Sequence, residues 1–86
     1  MNLPLINASQ GAGIPTLNAS EIPHAARHGA IHGALGTLNV GESMILIAPH
    51  DPLPLLKEVD VREERFDVEY LKKEPEEVHI KFTRTA

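Results

Sequence analysis

The sequence predicts a two-layer α+β sandwich, α/β in the broad sense. A four-stranded mixed sheet would carry two helices on one face, in the order β-α-β-α-β-β. Three observations predict it. The continuous apolar run Ser43-Met44-Ile45-Leu46-Ile47-Ala48 has strand length and lies between two segments that read as helices. Two alternating segments, Phe66 to Tyr70 and Val78 to Thr83, close the chain as half-buried strands do. An apolar content of 42% supports a real core, and 86 residues make one domain.

Residues 1 to 14 hold Asn7, Ser9, Gly11 and Gly13 without a sustained period, which predicts a mobile N-terminal tail before a single domain over 15–86. Thr16-Leu17-Asn18-Ala19 reads as a short first strand. Ser20-Glu21-Ile22-Pro23 has a capping serine, an acid and a proline, so a helix is expected from about Pro23 to Leu38. At about 100° per residue, His24, Ile31, Leu35 and Leu38 fall within about 40° of one another and form the expected buried stripe. The opposite face holds Gly29, Gly33 and Gly36 and carries no charge. Exposed helical surfaces are usually charged, so this face is a candidate docking surface for a second copy or another protein. A weak, tolerant helix is the alternative.

After the apolar strand, Asp51 is a suitable N-cap and Pro52 a suitable first residue of a second helix, with Leu53, Leu55, Leu56 and Val59 available for the core. Lys72 to Glu77 reads as a hairpin connection between the last two strands.

Composition removes several function classes. The chain has no cysteine, so disulfides, thiolate metal sites and cysteine nucleophiles are excluded. A cytoplasmic location is expected, since small secreted domains usually need disulfides and the first residues lack the basic start of a signal peptide. No run is long enough for a membrane span. A net charge of −4 argues against nucleic acid as a partner.

Arg27-His28, Leu38-Asn39-Val40-Gly41-Glu42-Ser43 and His50-Asp51-Pro52-Leu53-Pro54-Leu55 carry a resemblance, with Tyr70-Leu71 and Pro75-Glu76-Glu77 adding to it. Over about 17–84 the chain resembles a bacterial family of unknown function related to the TusA/SirA-like sulfur-carrier fold. Its members occur alone or fused to hemerythrin-like domains. The resemblance implies the same sandwich and no established reaction. The sulfur carriers use a cysteine between the first strand and first helix, so persulfide transfer is excluded here. Two positions depart from the family's tendencies: His32, where a bulky apolar residue is usual, and Glu74, where glycine is usual.

The candidate site follows from the connection. A β-α-β unit makes the first two strands parallel, so both helices start at one sheet edge, where ligands commonly bind. That edge would gather His24, His28, His50 and Asp51 as ligand-binding residues. Three readings stay open. A divalent transition metal could be shared by His24, His28, His32 and His50, imidazoles at i and i+4 being able to hold one ion. A small anion could be held by protonatable histidines and helix N–H groups. The histidines could instead pin the two helix starts through backbone hydrogen bonds. His79 is expected to point outward. The resulting function is a non-catalytic binding or interaction module, accessory to redox or sulfur/nitrogen metabolism. Its alternative is a small enzyme using His28 or His50 as acid/base on a redox- or sulfur-linked metabolite.

Overall fold

A computed structural model describes residues 13–86. The tail expected over residues 1 to 14 lies outside the described residues, apart from Gly13 and Ile14. The elements follow the expected order: β1 (Thr16–Asn18), α1 (His24–Leu35), β2 (Ser43–Ala48), α2 (Leu53–Asp60), β3 (Phe66–Glu74) and β4 (Glu77–Arg84). The sheet runs β1-β2-β4-β3, with β1 parallel to β2 and the other neighbours antiparallel.

Strand alternation fixes which face is buried. Leu17, Met44, Leu46, Ala48, Val78, Ile80 and Phe82 meet Ile31, Ala34 and Leu35 of α1 and Leu55 and Val59 of α2 in one core cluster. The partners across β2 and β4 match this choice, with Met44 opposite Phe82 and Leu46 opposite Ile80. Ile45 and Ile47 take the other, half-exposed face. The core is aliphatic except for Phe82, as a chain without tryptophan requires.

Several local expectations need correcting. Helix α1 ends at Leu35, not Leu38, because Gly36 takes the C-cap and the Thr37 hydroxyl donates to the Ala34 carbonyl at 2.6 Å. Leu38 still reaches the core through the turn that follows. Ser20 does not cap α1. Asn18 caps a 3-10 turn over Ala19–Glu21 by accepting from the Ser20 N–H, and Pro23 stands at the α1 cap. His24 is exposed, so the buried stripe is Ile31, Leu35 and Leu38 without it. The last two strands are longer than their apolar alternation. An irregularity at Leu71 shifts the register, pairing runs to Glu74 with Glu77, and Pro75-Glu76 forms the turn. Strand β3 is the sheet edge and mostly exposed, so only Phe66 among its residues packs on the core. His79 lies on the outward face of β4 as expected, but it is half-buried there and bonds Glu77 at 2.8 Å.

Gly29 and Gly33 lie on the exposed side of α1, and a Cβ at either would meet nothing within 4 Å. Gly36 differs, since a Cβ there would lie 3.7 Å from Arg62 Nη2. Gly29→Ala and Gly33→Ala should therefore each raise stability by up to about 1 kcal/mol. Thermal unfolding of the double variant checks this. A lower midpoint than wild type would mean that something other than solvent contacts that face.

Candidate functional site

The carboxyl ends of β1 and β2 and the first turns of both helices line a half-open cavity of about 500 Å³. Its floor is apolar, formed by Ala19, Ile31, Ala48 and Leu55, and Pro49, Pro52 and Pro54 wall one side. Prolines have a fixed φ, which stiffens that wall. Arg27, His24, His28 and His50 supply the polar lining, and no Asp or Glu joins them. On α1 the spacing does the gathering, because residues three and four apart share a helical face. His24, Arg27 and His28 satisfy that spacing, and β2 delivers His50 from across the cavity.

Local hydrogen bonds orient the polar groups. Arg27 Nε donates to the Ile22 carbonyl at 2.9 Å, which anchors the guanidinium beside the pocket. Arg27 Nη1 lies 3.4 Å from His24 Nδ1, a contact that leaves the His24 proton on Nε2. His50 Nδ1 lies 3.4 Å from the Asp51 carbonyl, which places its donor there. A permanent cation, three imidazoles and the positive dipole ends of two helices therefore meet at one space whose lining holds no carboxylate, although Glu58 stands outside it 3.6 Å from His28 Nδ1.

Three of the expected site residues, His24, His28 and His50, line this cavity. Asp51 and His32 do not. Asp51 is not the α2 cap, since Pro52 occupies that position and the Asp51 carbonyl accepts from the Leu53 N–H. Its carboxylate accepts the Tyr70 hydroxyl at 2.5 Å and approaches Lys73 Nζ at 3.4 Å. Lys73 also sits over the Tyr70 ring, 4.9 Å from its centre. The clamp ties the loop bearing His50 to the edge strand. His32 is held between Glu58, at 2.8 Å from Nε2, and Arg62, whose guanidinium donates to Nδ1 at 2.8 Å. Its ring is thereby fixed with the proton on Nε2. Glu58 also stands 3.6 Å from His28 Nδ1, and Arg62 pairs with Glu64 at 3.0 Å. Among the described residues no three His, Cys, Asp or Glu side chains are placed to hold one metal ion.

Arg27 is the cavity-lining group that residue patterns underweighted. It is the sole basic residue before Lys57, three places after His24, and that isolation was its signal. Glu58, Arg62 and Tyr70 had no comparable signal, because their partners are far away in sequence.

The clamp gives a direct spectroscopic prediction. Burial, followed by the Asp51 carboxylate, pushes the Tyr70 hydroxyl up to about 12. Free tyrosine titrates near 10. The folded state therefore binds the extra proton, so this contribution is complete below about pH 10 and lost as pH rises through about 12. The chain has one tyrosine and no tryptophan, so phenolate absorbance reports Tyr70 alone. Asp51→Asn should move the midpoint down without abolishing the burial contribution. An unchanged midpoint would dismiss the clamp.

No helix among the described residues is long and apolar enough to cross a membrane. A sequence-family profile described as an uncharacterized conserved protein (DUF2249) matches residues 16–84. No curated protein and no solved structure matches the chain.

Proposed function

This chain belongs to the DUF2249 family of uncharacterized conserved proteins, and from that premise we propose that it is a small non-catalytic binding module whose pocket takes a small anion. The observation that carries this is the Arg27 guanidinium sharing one cavity with His24, His28 and His50 and with no carboxylate among the lining residues. A fixed positive charge there attracts an anion and repels a divalent cation, which sets the anion above the metal. The lining also contains no Ser, Thr or Tyr. No hydroxyl nucleophile stands beside the histidines, which favours binding over turnover. A charge-assisted hydrogen bond contributes about 1.5–3 kcal/mol net. One such contact with a helix-dipole contribution of about 0.3–1 kcal/mol sums to about 2–4 kcal/mol, a Kd between about 1 mM and some tens of millimolar for a bare ion.

The element order supports kinship with the TusA/SirA-like fold. That kinship favours a bacterial, cytoplasmic protein accessory to redox or sulfur/nitrogen metabolism, with relatives that include hemerythrin fusions. Without cysteine, the chain's part in such a process is recognition, not sulfur transfer.

Amide NMR titration with sodium acetate and sodium phosphate against sodium chloride, at constant ionic strength, tests the proposal. Saturable shifts are expected in residues 24–28 and 48–55, reduced at least tenfold in affinity by Arg27→Met. Shifts confined to other surfaces, or unaffected by Arg27→Met, would overturn it. Turnover of a metabolite abolished by His50→Ala would replace binding with catalysis.

A further inference from the structure

The division of the cavity into an apolar floor and a cationic rim says more than that it takes an anion. Resting on the anion-binding reading, we infer that the ligand is an amphipathic organic acid with one carboxylate head and an aliphatic body. The head lies against Arg27, and the body lies over Ile31 and Leu55. Three observations point there.

Size comes first. About 500 Å³ falls inside the range of roughly 300–1,000 Å³ typical of organic-ligand sites. Liquid water takes about 30 Å³ per molecule, so an inorganic ion or acetate displaces only a minor part of what the cavity holds. The remaining space lies over Ala19, Ile31, Ala48 and Leu55, which gain nothing from water. An apolar body is what that floor can bind.

Charge comes second. Arg27 is the one lining residue with a permanent charge, and its Nε is already committed to the Ile22 carbonyl. Its Nη end therefore meets the ligand. A planar carboxylate matches a guanidinium with two parallel hydrogen bonds and balances one charge with one charge. A phosphate monoester approaching two negative charges would leave the second without a fixed partner.

The third observation is what the walls lack. No Phe, Tyr or Trp lines the cavity, and the rings it does have, the imidazoles of His24, His28 and His50, belong to its polar lining and not to the apolar floor. Aliphatic and proline walls suit a flexible hydrocarbon chain.

The test is a set of NMR titrations of the intact chain with acetate, butanoate, hexanoate, hexan-1-ol, hexylamine and hexyl phosphate. Affinity should rise about three- to fourfold for each CH₂ buried from acetate to hexanoate. Hexanoate should bind at least tenfold more tightly than hexan-1-ol, and Arg27→Met should erase that preference. Arg27 also braces Ile22, so a second variant avoids reliance on it. Ala25 is exposed on the rim, and Leu is a good helix former, so Ala25→Leu fills the mouth of the cavity without disturbing the fold. It should weaken hexanoate far more than acetate.

The ways of failing are separable. Equal binding of acetate and hexanoate would overturn the apolar body and leave the anion reading intact. Equal binding of hexanoate and hexan-1-ol, or tighter hexylamine, would overturn the acid and leave only a hydrophobic pocket. Tighter hexyl phosphate would overturn the carboxylate head. No saturation by any probe would overturn both proposals.

Discussion

Leu55→Ala should destabilise the domain by about 2–5 kcal/mol, a large part of what an 86-residue chain has to lose. Leu55 is 1% exposed, belongs to the single core cluster and also forms part of the cavity floor. The truncation removes buried methyl groups and opens space beside a cavity that already exists. Pro52 and Pro54 stiffen the adjacent backbone, which limits collapse into that space and places the cost above the low end. In a domain this size each kcal/mol shifts the thermal midpoint by about 4–8 °C, so a loss of about 10–40 °C is expected. Urea unfolding followed by circular dichroism gives the free energy directly. A loss under about 1 kcal/mol would remove Leu55 from the core. Saturating hexanoate should restore part of the lost midpoint, because a ligand that binds only the folded state stabilises it.

How much of this was legible in the sequence depends on the range of each interaction. Ser43 to Ala48 was recognisable as a strand because six apolar or small residues without a breaker leave no alternative of that length. Its parallel pairing with Thr16–Asn18 followed from the helix between them, and the register confirms it. The failures lie at the ends of elements. Serine and aspartate resemble helix caps by type. Here proline takes both cap positions, Asp51 turns to Tyr70, and Ser20 contributes only its backbone N–H, donated to Asn18. The charges of Lys72, Glu74 and Glu77 resembled a loop. In the fold Lys72 reaches Glu77 at 3.0 Å and holds that carboxyl below its usual range, so the charges decorate paired strands.

The site divides in the same way. The i, i+3, i+4 spacing gathered His24, Arg27 and His28, and the β-α-β rule brought His50 to them. Those are short-range and topological facts, and a sequence contains them. His32 belongs to the same helical series as His24 and His28, so pattern alone assigned it to the same ligand. Its actual partners, Glu58 and Arg62, lie 26 and 30 residues away. Asp51 stands next to His50 but turns to Tyr70, 19 residues on. No periodicity encodes such contacts, because they depend on how α2 and β3 settle against elements already placed.

Gly41→Val should cost about 1–3 kcal/mol, and the reason differs from that for Leu55. Gly41 has φ +92°, a conformation that a β-branched residue can hold only under strain. The turn cannot relax away from it easily. The Gly41 N–H donates to the Arg84 carbonyl at 2.7 Å, and the Arg84 N–H donates to the Glu42 carbonyl at 2.9 Å. The Glu42 carboxylate in turn accepts the Asn39 N–H at 2.8 Å. These bonds tie the entry to β2 to the end of β4, so a change of φ at Gly41 would break a contact between two central strands. A Cβ there meets nothing within 4 Å, so the cost is backbone strain and not collision. Alanine should therefore also destabilise at Gly41, by less than valine, while the same glycine-to-alanine exchange stabilises at Gly29 and Gly33. Urea midpoints of Gly41→Ala and Gly29→Ala, measured side by side, decide the point. A gain from both would show that the turn yields to the side chain, with the strain argument lost. Opposite signs are the expected result.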